Sequence, residues 1–233
     1  MASTAGTVGT ARTGESILAY LPISTTREYR KGQAIYGPND VAASVHVVLK
    51  GIVAVSAARE GGADTMLEVF GPGELLGEDA LLGEGPCPHG KAFALADVIV
   101  MTWDVEALAD ILRNSPYAGL ALLCALVRRN AEYAARIESF SLDSCEGRLA
   151  WSLLRLAERL GEPDGDGWVR LTPLTHSFLA SYLGASRAAV TLYMNQFRKS
   201  EWLTYSRQAI RIQPLGLRQA CSRQAASVAE TAA

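Results

Sequence analysis

A chain of 233 residues, 49% hydrophobic and 20% charged, has enough apolar side chains for one or two packed domains and is not a disordered polymer. No apolar run reaches the roughly 18 to 20 residues that span a bilayer, and the Ala/Thr/Gly-rich start lacks the basic-then-apolar order of a signal peptide. A cytoplasmic protein with no membrane partner is expected. The net charge of -2 conceals an asymmetry, because residues 171–233 hold seven Lys/Arg against two Asp/Glu while residues 1–170 hold fifteen against twenty-two. Cys87, Cys124, Cys145 and Cys221 are scattered with no CxxC, so neither a zinc site nor a disulfide framework is indicated and buried thiols are the default reading.

Residues 1–15 are small and polar without periodicity and read as a disordered tail. After a short helix over Ile17–Pro22, residues 16–104 take on the texture of short strands: Arg27–Tyr29, Ser44–Leu49, Ile52–Ala57, Thr65–Phe70, Lys91–Ala96 and Val98–Thr102. Glycine-bearing turns at Lys31-Gly32, Gly37-Pro38, Lys50-Gly51, Gly61-Gly62 and Gly71-Pro72-Gly73 separate them. Many short strands at even spacing predict an antiparallel β-barrel or sandwich, large enough to enclose one small ligand.

Asp104 then reads as an N-cap, and Ser115-Pro116 as a second helix start, since proline is accommodated at the first helical position. Residues 105–141 are predicted to form the long helical segment. Within it Leu120, Cys124, Val127, Ala131 and Ala134 repeat with 4-3-4-3 spacing, a seam suited to the same helix of a second subunit. Leu122, Leu126, Tyr133 and Phe140 make a second apolar flank for packing against the chain's own barrel.

A further helix runs from Ser144 to Leu160, followed by a polar turn over 162–167 and a strand over Trp168–Leu171. Two short helices then share Gly184, with Thr175 and Ser186 as their caps and Phe178, Leu179, Leu183, Val190, Met194 and Phe197 at core spacing. Glycine admits the positive φ of a tight bend, so the pair predicts a helix-turn-helix whose second helix presents Ser186, Arg187, Ala188, Thr191 and Leu192 outward at the end that enters a major groove. Trp202–Ser206 and Ala209–Gln213 read as a two-stranded wing around Arg207. The basic excess coincides with this domain, residues 142–216, which is the electrostatic footprint of a double-stranded DNA partner. Residues 217–233 are expected to fray.

In that order the fold is α+β: a jelly-roll-like antiparallel barrel as sensor, a long dimerisation helix and a C-terminal winged helix-turn-helix. Over residues 20–215 the chain resembles the CRP/FNR family of bacterial transcription regulators. Gly71-Pro72-Gly73-Glu74-Leu75-Leu76-Gly77-Glu78 is similar to the family's phosphate-binding cassette, Glu146-Gly147-Arg148-Leu149-Ala150 to its hinge, and Gly184-Ala185-Ser186-Arg187 with Val190 to the start of its recognition helix. The resemblance implies a homodimer paired through residues 117–141, a pseudo-palindromic site with half-sites roughly 34 Å apart, and RNA polymerase as partner if the protein activates. It implies no enzyme, and the sequence offers no nucleophile–base pair or paired carboxylates among its three histidines and acidic residues.

The resemblance also carries departures. In cyclic-AMP-binding members a glutamate matching Glu78 meets the ribose, an Arg-Ser pair holds the phosphate, and a Thr-Ser pair on the long helix meets the adenine. Here Gly77 and Glu78 are kept, Gly90 and Lys91 stand in place of Arg-Ser, and Tyr133 and Ala134 in place of Thr-Ser. A lysine offers a point charge where the arginine fork gave a bidentate clamp, so ordinary cyclic AMP is not expected. The open alternatives are another cyclic nucleotide held by Gly77, Glu78, Lys91 and Tyr133, haem held by Cys87 and His89 in a gas sensor, an acidic metabolite held by Arg128 or Arg129, or no small effector. An iron–sulfur cluster is excluded by the absence of cysteine from residues 1–86. The family reads bases with Arg-Glu and a second Arg four residues on; here Ala188 and Leu192 replace the last two, leaving Arg187, with Arg198, Lys199, Arg207 and Arg211 for the flanking phosphates. A half-site unlike TGTGA is expected. A nucleotide-binding module acting through protein partners is the remaining alternative.

Overall fold

In a computed structural model the described residues are 16–57, 64–83, 90–142 and 144–221. The expected disordered tail, residues 1–15, and the haem candidates Cys87 and His89 lie outside them.

Alternating apolar side chains and glycine turns fold the first part into two four-stranded antiparallel sheets. One runs in the order β1 (Thr25–Tyr29), β8 (Val98–Asp104), β3 (Ser44–Lys50), β6 (Leu75–Leu76), and the other β2 (Ala34–Tyr36), β7 (Lys91–Ala94), β4 (Val53–Ala57), β5 (Thr65–Phe70). Non-sequential neighbours within each sheet give the jelly-roll-like barrel. Val48, Val53, Val55, Phe70, Leu76, Ala92, Ala94, Val98 and Val100 fill it from both sheets. The strands β2 and β6, each of two or three residues, have no counterpart in the sequence reading: elements this short carry no alternation to detect.

The helical segment is divided where the second start at Ser115-Pro116 is expected, into α1 (Val105–Asn114) and α2 (Pro116–Leu142). They part at Ser115, whose hydroxyl accepts from the Ala118 N–H. Asp104 stands at the cap position of α1 in extended conformation but makes no side-chain cap bond. Ala118, Ala121 and Leu122 bury one face of α2 against the barrel, together with Ile17, Trp103 and Leu108. Of the predicted seam, Val127 is 58% exposed and Ala131 and Ala134 are exposed as well, while Leu120 and Cys124 are half-buried; Leu123, outside that seam, is also exposed.

The third part contains α3 (Cys145–Leu160), α4 (His176–Leu183), α5 (Arg187–Lys199) and a sheet in the order β11 (Leu203–Tyr205), β12 (Ile210–Ile212), β10 (Val169–Leu171), β9 (Glu162–Pro163). Part of the expected polar turn is thus the edge strand β9. The expectation of fraying over residues 217–233 is corrected for 217–221, since residues 214–221 are helical and Leu217 and Ala220 are both buried in the core; residues 222–233 lie outside the described residues. The three described thiols, Cys124, Cys145 and Cys221, are half-buried rather than buried.

One hydrophobic cluster crosses from this domain to the barrel. Ile52, Ala54, Met66 and Val69 pack on the outer side of β4 and β5 against Leu149, Leu153, Leu156 and Leu179 in the same cluster. Gly71 permits that approach, because a Cβ there would stand 2.3 Å from the Leu160 side chain.

Candidate effector cavity and nucleic-acid interface

The nucleic-acid face is built by two caps and one glycine. The Thr175 hydroxyl accepts from the Phe178 N–H at 3.0 Å, and the Ser186 hydroxyl from the Ala189 N–H at 3.1 Å. Gly184 closes α4 at φ 60°, a left-handed conformation that a Cβ would strain, and so lets the chain turn into α5. Val190, Met194 and Phe197 are buried, which turns Ser186, Arg187, Ala188 and Leu192 outward, Leu192 to 53% exposure. Thr191 is placed differently from its fellow candidates. Its hydroxyl donates to the Arg187 carbonyl and, its one proton so committed, accepts from His176 Nδ1 at 2.9 Å. Burial, then the nearby Arg187 charge, holds His176 below its ordinary pKa. His176 also packs edge-on against Tyr205, which donates to Asn195, so the first helix, the recognition helix and the wing are tied together.

The flanking cations divide. Lys199 and Arg207 are exposed, Arg207 at the wing turn, and Arg198 lies over the Tyr205 ring. Arg211 is engaged by the Asp164 carboxylate and by the Trp168 ring, so a phosphate would have to compete for it.

A cavity of about 460 Å3 opens between the barrel, the C-terminal half of α2 and α4. That volume suits one small organic ligand. Gly77, Glu78 and Tyr133 line it, together with Met66, Leu67, Phe70, Arg136, Ile137, Phe140 and Tyr182. The effector candidates are thereby separated. Arg129 does not face the cavity: it reaches across to donate to the Glu78 carboxylate and to the Leu75 carbonyl, and covers the Phe70 ring at 4.7 Å. Lys91 lies over the Phe93 ring and is not a lining residue, and the exposed Arg128 lines a different, smaller cavity together with Arg129, Ser16 and Pro72. Burial, with the Glu68 charge second, pushes the Tyr133 hydroxyl up to about 12, so it stands in the cavity as a neutral donor.

Two arginines absent from the sequence reading join the domains. Arg159 of α3 donates to Glu74 at 2.8 Å, to Glu68 at 3.0 Å and to the Val69 carbonyl, and stands 3.3 Å from Glu132. Burial opposes its charge, but Glu74, Glu68 and Glu132 outweigh this and hold it above its ordinary value. Arg136 of α2 donates instead to three backbone carbonyls, Leu67 and Met66 on β5 and Tyr182 on α4, and lies 4.1 Å from the Tyr182 ring centroid. Beside it Ser181 donates to the Asp64 carbonyl and accepts from the Met66 N–H. No metal-binding cluster of three or more His, Cys, Asp or Glu occurs among the described residues.

Comparison with known proteins agrees with this division of labour. Residues 26–115 match the cyclic nucleotide-binding domain and residues 147–219 the Crp-like helix-turn-helix domain. A CRP-like cAMP-activated global transcriptional regulator of Mycobacterium tuberculosis is 25% identical over 186 residues, 79% of this chain and 82% of that protein. The cyclic AMP receptor protein of Thermus thermophilus is 29% identical over 165 residues, 71% and 73% of the two chains. A solved CRP/FNR family transcriptional regulator, also from Thermus thermophilus, superposes with a TM-score of 0.66 at 26% identity, covering 85% of this chain and 98% of that one. A barrel of the nucleotide-binding type, joined by a long helix to a winged helix-turn-helix, defines a DNA-binding transcription regulator. The chain belongs to the CRP/FNR family of transcription regulators.

Proposed function

We propose that the protein is a homodimeric, non-enzymatic regulator that binds a pseudo-palindromic DNA site and does not use ordinary cyclic AMP as its effector. The dimer rests on the seam of α2, where the exposed Val127, Ala131 and Ala134, with Leu123 beside them in sequence, would be covered by the partner's copy of the same helix. The observation that carries the effector reading is the engagement of Glu78. Its carboxylate is held at one oxygen by Arg129, a residue of this chain, and Lys91 is turned to Phe93, so the glutamate that would meet a ribose is already engaged and Lys91 supplies no cation to the cavity. The chain departs from the cyclic-AMP-binding pattern at Gly90-Lys91 and at Tyr133-Ala134, although two of its relatives are a cAMP-activated regulator and a cyclic AMP receptor protein.

Arg187 is the base or phosphate reader, with Ser186, Ala188, Thr191 and Leu192 around it and Arg198, Lys199, Arg207 and Arg211 on the backbone. Ala188 and Leu192 offer apolar surface to thymine methyl groups, and neither can hydrogen-bond a base edge. Selection from a random duplex library should return a pseudo-palindrome with half-sites about one helical turn apart and without TGTGA. Recovery of TGTGA would overturn the assignment of the recognition face. Arg187→Ala should cost about 1–3 kcal/mol in discrimination at one base pair if the guanidinium reads a base, and an equal loss on all sequences would assign it to phosphate.

A further inference from the structure

We infer that the cavity between barrel and DNA-binding domain takes a small aromatic or otherwise apolar molecule carrying a single anionic group, and that Arg136 is the residue that reads the anion. The inference rests on the reading of the chain as an effector-switched regulator and gives that effector a chemical class.

The walls argue for an apolar body. Met66, Leu67, Phe70, Ile137, Phe140 and Tyr182 surround a space of about 460 Å3, and Phe140 remains 41% exposed although it is aromatic. Rings of this kind gain from offset stacking on a flat ligand. Of the acidic residues on the lining, Glu68 is already paired with Arg159 and Glu78 with Arg129; Asp79 stands at the cassette with Gly77 and Tyr36, where a second, smaller cavity begins.

Arg136 argues for the charge. Among the described residues it meets no carboxylate, and its hydrogen bonds go to the carbonyls of Leu67, Met66 and Tyr182. A guanidinium in a half-buried site bonded only to neutral acceptors has no carboxylate in contact, and a charge-assisted bond to a carboxylate or sulfonate is about twice as strong as one to a carbonyl. Three of its five N–H donors are used in those bonds, so an anion can first engage the remaining two and then compete for the donor held by the Tyr182 carbonyl.

The same bonds connect binding to output. Leu67 and Met66 belong to the barrel and Tyr182 to the first helix of the helix-turn-helix, so an anion that draws Arg136 away from Tyr182 weakens the hold of the barrel on α4. The recognition face is already exposed in this arrangement, and the ligand therefore acts on how the two recognition helices of the dimer are set rather than on uncovering them.

The test uses the full-length protein and two fluorescent probes of matched shape, 1-anilinonaphthalene-8-sulfonate and its neutral counterpart N-phenyl-1-naphthylamine, with naphthalene-1-acetate as a non-fluorescent competitor. The sulfonate should bind saturably, one per subunit, and be displaced by naphthalene-1-acetate and not by cyclic AMP. Arg136→Gln should weaken the sulfonate by about tenfold or more and leave the neutral probe within about twofold. Thr65→Glu, at an exposed position on the cavity rim, repels the anion without touching Arg136 and should act the same way, so a poorly folded Arg136→Gln does not end the test. In anisotropy titrations naphthalene-1-acetate should change the affinity for the selected duplex in wild type and not in Arg136→Gln. Absence of saturable binding, equal response of both probes to the substitutions, or displacement by cyclic AMP overturns the inference while leaving DNA binding intact. Loss of all sequence-selective DNA binding by the wild type would instead overturn the regulator reading.

Discussion

Arg159 and Arg136 both bridge the barrel and the DNA-binding domain, yet they are compensated in opposite ways. Arg159 is surrounded by Glu68, Glu74 and Glu132, so its charge is matched and its geometry over-determined. Arg136 is held by carbonyls alone, in contact with the cavity. A fully paired buried ion has nothing to gain from moving, whereas a charge resting on neutral acceptors can exchange them for an anion. The first residue therefore fixes the docking of the two domains and the second makes that docking responsive.

The comparison breaks most visibly at Arg159. Arg159→Met leaves Glu68, which is 3% exposed, without its ion partner, and removing one member of a buried pair costs about 3–5 kcal/mol. Arg136→Gln removes bonds to carbonyls that water can replace and should cost about 1–3 kcal/mol. Urea unfolding of both variants measures the difference; equal losses would remove the distinction between clamp and latch.

A smaller effect separates the barrel's own stability from that of the interface. His46 is buried, its Nδ1 lies 2.9 Å from the Thr102 hydroxyl, and burial with the Arg27 charge lowers its pKa to about 4 from an ordinary 6.5. The unfolded chain therefore takes up a proton before the folded one does. Stability contributed by the neutral ring is fully present above pH 6.5 and is lost as pH falls towards 4, by up to about 3 kcal/mol. His46→Gln should flatten that part of the stability profile, measured by urea unfolding at a series of pH values. An unaltered slope in His46→Gln would assign the pH dependence to another group.

How much of this the sequence carried depends on the range over which each residue acts. The strand Thr65–Phe70, the helix break at Ser115 and the two helix-turn-helix caps follow from neighbours within a few positions, and the structure places them there. The short strands β2, β6 and β9 are defined by partners elsewhere in their sheets and left no local trace. Arg136 and Arg159 escape the sequence for the same reason, since their partners lie 27 to 91 residues away and neither falls in a recognisable motif. Arg129 was picked out as a cation for an acidic metabolite, and its meeting with Glu78 joins two candidates that the sequence kept apart. The smallest expected effect tests the local kind of inference: Thr175→Ala removes one cap bond and should cost about 1 kcal/mol in thermal stability, with no loss if the bond is not formed.

The most direct test of the account is an equilibrium titration of the full-length protein against its selected duplex and a scrambled one, at two salt concentrations, with and without cyclic AMP. The account predicts affinity for the selected site at least about a thousandfold above the scrambled one, a decline of both with salt, and no response to cyclic AMP. Equal affinity for the two duplexes, or binding that appears only when cyclic AMP is added, would contradict it.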